Sequence, residues 1–137
     1  MEERINDKIK EVENLLLELE DIRVDTLEQY LRDIKTRAAC ERYFEKIIEV
    51  VIDLSFFVIK DKELKEPKED EDAFKILSDE KIIKERLCSR LKNAKGMRNF
   101  IIHQYEKIND ELVFESISHE LEKDVREFLD AVRRAGR

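Results

Sequence analysis

Four side chains that could do chemistry on a phosphate stand close together in the stretch RNFIIHQY, residues 98–105: Arg98, Asn99, His103 and Tyr105. An imidazole titrates near neutrality, so His103 can give or take a proton in a reaction. The guanidinium of Arg98 stays charged, and its planar fork can hold two phosphate oxygens. Asn99 offers an amide that could orient either the imidazole or a phosphate. The approach to this stretch is basic: residues 81–98 hold seven Lys and Arg against the single acid Glu85, within a chain whose net charge is −7. Such a run points to a phosphate-bearing partner, and Arg90, Lys92 and Lys95 are the residues placed to meet it, although a solvated helix face would also account for it. A histidine beside apolar residues is by itself more often a satisfied core or interface side chain than a catalyst. A tyrosine with its ring packed and its hydroxyl wet is likewise commonplace.

Other chemistries find little support. There is no HExxH, no His/Cys cluster with metal-ligand spacing, and no recognisable partner for a nucleophilic serine or cysteine. Cys40 and Cys88 form no CxxC and lie in helical patterns, which predicts buried free thiols. The second histidine, His119, lies about 200° from Ile117 on its helix and is expected to face solvent. No window approaches the roughly 18 continuous apolar residues a membrane span needs, so a soluble, cytoplasmic protein is expected.

The elements that must position the four residues are helices. The chain has 137 residues, 45% charged and 42% hydrophobic, with two glycines and one proline. This balance favours helices with solvated charged faces and fits a single domain over 1–137. Ile5, Ile9, Val12, Leu16 and Leu19 make one stripe of a first helix, about residues 2–20. Asp25 with Glu28 reads as a variant capping box opening a short helix through Tyr30. Ile34, Ala38, Phe44, Ile47, Val51, Leu54 and Val58 carry the next helix to about Lys60. Val50, Ile52, Phe56, Phe57 and Ile59 widen its apolar surface beyond one face, which predicts cover from other helices and from a second subunit. Residues 61–72 form an exposed connection and Ala73–Leu77 a short helix. Ser78 or Asp79 caps a helix bearing Ile82, Ile83, Leu87 and Leu91. Asn109 or Asp110 caps a last helix whose seam runs from Val113 to Val132. The result is an all-α antiparallel four-helix bundle with one or two short extra helices.

In this setting GMRNFIIHQYEKIND, residues 96–110, resembles the signature of the HepT-like toxins of the HEPN superfamily of ribonucleases. That signature is an arginine followed by a polar residue, then four to six positions, then a histidine, with a tyrosine one residue further on. Arg98, Asn99, His103 and Tyr105 occupy those places. The helices at 41–59, 71–83 and the C-terminal end also resemble their counterparts. The resemblance implies a HEPN-like bundle and a metal-independent endoribonuclease toxin using no cofactor of its own. Its catalytic residues would be Arg98, Asn99 and His103, and its product a 2′,3′-cyclic phosphate. It further implies a homodimer and a cognate minimal nucleotidyltransferase antitoxin, which would use ATP to place AMP on Tyr105 and silence the toxin. The alternative is a noncatalytic partner module of a nucleotidyltransferase.

One geometric difficulty is visible in advance. Five positions along an ideal helix turn Arg98 and His103 about 140° apart. Either the helix distorts, or the arginine reaches round, or the site is shared between subunits. The last is the preferred expectation, with the wide surface near Phe56 and Phe57 as the interface.

Overall fold

The chain is read from a computed structural model that describes residues 2–136, the side chains of residues 2, 71 and 105 excepted. The modification expected at Tyr105 therefore falls on a side chain outside the described residues. Seven helices follow in order: α1 (Glu2–Ile22), α2 (Leu27–Arg32), α3 (Ile34–Asp61), α4 (Asp70–Asp79), α5 (Glu85–His103), α6 (Asp110–His119) and α7 (Leu121–Ala135). A 3₁₀ turn at Tyr105–Lys107 joins α5 to α6. No strand occurs among the described residues, and no helix is long and apolar enough to cross a membrane.

α3 is the central column. Asp33 caps it by accepting from the amides of Lys35 and Thr36. Its first-stripe residues Phe44, Ile47, Val51 and Leu54 are fully enclosed. The added breadth is used mostly within the chain: Val50, Ile52 and Ile59 are also buried, because α1, α2, α4, α5 and α6 all pack on α3. Phe56 and Phe57 remain half-buried, the latter under the Arg4 guanidinium 5.2 Å from its ring centre. Burial within the monomer thus accounts for most of a surface that the sequence suggested a second subunit would share. Arg133 on α7 ties the bundle back to α1 through Glu13 at 2.7 Å.

Several boundaries differ from expectation, each for a local reason. The capping box of α2 is Thr26 with Gln29, not Asp25 with Glu28: the Thr26 hydroxyl accepts from the Gln29 amide, and the Gln29 side chain accepts from the Thr26 amide. α4 runs to Asp79, so Ser78 and Asp79 end a helix instead of opening one. Ile82 and Ile83 then lie in the turn before α5, both amides donating to the Leu77 carbonyl. That turn is a Schellman closure with Lys81 at φ 61°, and α3 closes in the same way with Glu63 at φ 54°. Asn109 caps α6 by accepting from the Leu112 amide. The last seam is broken once, at Glu120, whose φ of −124° leaves the helical range. Val113, Ile117, Leu121, Val125, Phe128 and Val132 all stay buried across that break.

Candidate functional site

α5 carries the candidate residues Arg98, Asn99 and His103. Leu87, Cys88, Leu91 and Ile101 bury its inner face, and the helix ends at His103, where the Gln104 amide donates to the Phe100 carbonyl at 2.8 Å. At 100° per residue, Lys92, Gly96, Asn99 and His103 fall within about 60° of one another, a single outer stripe. Lys95 flanks it. His103 is exposed, and so in part are its neighbours Phe100 and Ile102, at 43% and 41%.

Arg98 sits on a different side, against α3, with only 17% of its side chain exposed. Its Nη1 donates to the Asn99 amide oxygen at 3.0 Å, and its Nη2 lies 3.8 Å from the Glu49 carboxylate. Its Nε is buried with no hydrogen-bond partner among the described residues. Arg98 and Asn99 are therefore assembled, while no hydrogen bond among the described residues links Arg98 to His103. α5 continues as α-helix through both residues. Glu49 is the residue that sequence reasoning missed. It stands in a helix rich in surface acids, and nothing in its spacing distinguishes it from Glu45 or Asp53.

The three basic residues expected on the approach divide. Arg90 does not face an incoming anion: its Nε donates to both carboxylate oxygens of Asp124 at 2.8 Å, and Glu120 lies 3.9 Å from its Nη2. Asp124 is buried, so this is a pair that fastens α5 to α7, and its hydrogen bond and charge raise the pKa of the guanidinium. Lys92 and Lys95 are half-buried and have no ion-pair partner among the described residues.

His119 is exposed on α6, 3.9 Å from Glu115. Burial pushes the Cys40 thiol up to about 11 and the Cys88 thiol upward as well, so neither is a ready thiolate. Among the described residues no group of three or more His, Cys, Asp or Glu is arranged to hold a metal ion.

Comparison with known proteins adds to this geometry. The family model described as ribonuclease HepT-like matches residues 5–132. The chain is 24% identical over 133 residues to the mRNA nuclease HepT of Shewanella oneidensis, covering 97% of this chain and 98% of that protein. It is 24% identical over 120 residues to the tRNA nuclease HepT of Aphanizomenon flos-aquae, covering 88% of this chain and 75% of that one. In fold it resembles a tri-AMPylated HEPN toxin of Shewanella oneidensis solved in complex with MNT antitoxin. The TM-score is 0.88 at 24% identity, covering 95% of this chain and 96% of that one.

Proposed function

The chain belongs to the ribonuclease HepT-like family, and from that premise we propose that it is an endoribonuclease toxin of a toxin–antitoxin pair, acting through Arg98, Asn99 and His103. The observation that carries the reading is the Arg98–Asn99 pair, hydrogen-bonded beside α3, with His103 exposed at the end of the same helix and free to approach a phosphodiester. His103 takes the proton of the ribose 2′-hydroxyl or protonates the departing 5′-oxygen. The 2′-oxygen bonds to phosphorus as the P–O5′ bond breaks, leaving a 2′,3′-cyclic phosphate and a 5′-hydroxyl. Arg98 neutralises charge gathering on the phosphoryl oxygens, and Asn99 keeps its guanidinium in place. The reaction draws on no metal and no cofactor.

The separation of Arg98 from His103 favours a homodimeric site, in which a cleft between two copies receives one phosphate among residues of both. Phe100 and Ile102, apolar and exposed beside His103, suit such a contact. Lys92 and Lys95 guide the RNA strand along α5. A cognate minimal nucleotidyltransferase antitoxin would transfer AMP from ATP to the Tyr105 phenol with loss of pyrophosphate. The charge and bulk added two residues from His103 would repel RNA. The relatives support this scheme: two are named as nucleases of mRNA and of tRNA, and a protein of the same fold is AMPylated in complex with an antitoxin.

That no hydrogen bond joins Arg98 to His103 among the described residues also favours a second reading, a noncatalytic module that presents itself to a nucleotidyltransferase. RNA cleavage by unmodified wild type, lost in His103→Ala and Arg98→Ala variants that keep the wild-type fold and association state, supports the ribonuclease. Cleavage unchanged in those variants refutes the assignment of residues. No cleavage by AMP-free wild type favours the partner module.

A further inference from the structure

A solvent-open cavity of about 270 Å³ lies between the start of α3 and the segment that follows His103. Ile34 and Ala38, one helical turn apart on α3, form one apolar wall, and Ile108 forms another. Arg37 at its edge is already engaged: its Nε lies 3.7 Å from Asp110, and its Nη1 donates to the Leu31 carbonyl. Glu41, one turn further along α3, differs. It is only 8% exposed, it lines the cavity, and no hydrogen bond reaches its carboxylate among the described residues. Burial first, then the charge of Asp110, raises its pKa above the ordinary carboxylate range. Close behind it the Tyr30 hydroxyl, on a side chain 1% exposed, is also without a partner. With no donor among the described residues, the Glu41 oxygens depend on the solvent that reaches them, and a ligand bringing donors would take that place.

The chemistry of the walls narrows what that ligand is. Glu106 and Asp110 also line the cavity, Glu106 exposed and Asp110 paired with Arg37, so Glu41 is the enclosed carboxylate between the two apolar surfaces, and these suit a flat ring whose edge donates hydrogen bonds. Among the RNA bases, guanine alone presents two adjacent donors, N1–H and N2–H, matching the two oxygens of a carboxylate. Adenine, cytosine and uracil each set an acceptor beside their donor on that edge, which a carboxylate repels. A lone ammonium or guanidinium would also satisfy Glu41 but would leave the two apolar walls uncovered. Placement agrees with a nucleotide: Ile108 is five residues beyond His103. Glu49, the contact of Arg98, is two turns of α3 from Glu41, about 12 Å along the axis.

We propose that this cavity is a guanine subsite: Glu41 accepts from N1–H and N2–H of an unpaired guanine held between Ile34, Ala38 and Ile108, and so selects which phosphodiester reaches His103. The selection of the scissile bond rests on the ribonuclease reading above; the binding of guanine does not.

The test separates the two. Guanosine, adenosine, cytidine and uridine are titrated into the full chain while the methyl signals of Ile34, Ala38 and Ile108 are followed by NMR, with N-acetylarginine amide as the cationic probe. Guanosine is expected to shift these methyls at concentrations at least tenfold below the other nucleosides. Glu41→Gln, isosteric and neutral, should abolish that preference, while His103→Ala should keep it. Four nucleosides acting alike, no shift with any, or shifts with the arginine probe alone would overturn the proposal. On RNA, wild type should cut at one fixed offset from guanine, and Glu41→Gln should lose that preference roughly tenfold or more, in line with a bidentate base contact. Cuts with no fixed guanine offset would overturn the selective role. Guanosine binding without any cleavage would uphold the subsite and count against the ribonuclease reading alone.

Discussion

Replacing Gly96 by alanine should make this protein more stable and a poorer catalyst. Gly96 is the twelfth residue of α5, well inside a 19-residue helix, and its φ is not positive. A Cβ built there meets nothing within 4 Å, and the position is exposed. The chain itself therefore gives no steric reason for glycine, yet glycine in a helix interior costs about 0.5–1 kcal/mol relative to alanine. For a domain of this size that corresponds to roughly 2–5 °C in Tm. The stripe through Lys92, Gly96, Asn99 and His103 supplies a reason outside the chain, the close approach of RNA or of a second protomer to bare backbone. Thermal melts by circular dichroism at 222 nm should show the rise, and RNA cleavage by the same preparation should fall at least tenfold. A lower Tm would refute the helical geometry described for residue 96. A higher Tm with undiminished cleavage would show that nothing approaches this stripe during turnover.

The other expectations can be checked with the same few assays. Arg90→Ala should cost about 1–3 kcal/mol of stability in urea titrations, because it leaves the buried Asp124 unpaired, and should leave the salt dependence of RNA binding unchanged. Lys92→Ala with Lys95→Ala should instead leave stability nearly unchanged and lower the slope of log K against log salt by roughly 1–1.5; a steeper slope would contradict their role. The raised pKa of Glu41 means that the native state holds its proton to higher pH than the unfolded chain. Its contribution to stability therefore falls as pH rises from the ordinary glutamate value of about 4.3 through the raised one, and is constant above it. Glu41→Gln should accordingly raise Tm at pH 7 by more than at pH 4, and an equal gain at both would show that the carboxyl is not buried as described. Cys40 and Cys88 should resist a thiol reagent at neutral pH in the native protein and react on unfolding, since burial raises both thiols; rapid modification of the native form would contradict their enclosure.

Much of the architecture was legible in the sequence because apolar period is the main determinant of a helical bundle. From Ile9 to Leu19 in α1, from Phe44 to Val58 in α3 and from Val113 to Val132 in α6 and α7 the stripes end up buried, while Ile5 is half-buried and Ile34 and Ala38 at the start of α3 stay exposed; Cys40 and Cys88 are enclosed and His119 is on the surface. What escaped was punctuation without its usual residues. α3 and α4 end in left-handed closures formed by Glu63 and Lys81, where glycine is the ordinary signal, and Glu120 breaks the last helix without proline or glycine. The breadth of α3 pointed to cover from several sides but could not say that five other helices supply it. At the candidate site, Arg98, Asn99 and His103 stand out by their pattern, and the wheel shows that one straight helix separates the first from the last. Contacts across helices were invisible: that Arg90 belongs to Asp124, that Arg98 leans on Glu49, and that Glu41 lies unpartnered beside the segment after His103. Each depends on which charged residues of two distant stretches face one another, and in a chain this rich in both signs spacing alone does not decide it.

The central claim is tested most directly by incubating mixed mRNA and tRNA, in EDTA, with wild-type protein shown by mass to carry no AMP, beside His103→Ala of the same fold and association state. Wild type alone should cleave, leaving 2′,3′-cyclic phosphate ends and free 5′-hydroxyls. Intact RNA in both reactions, or equal cleavage in both, would contradict it.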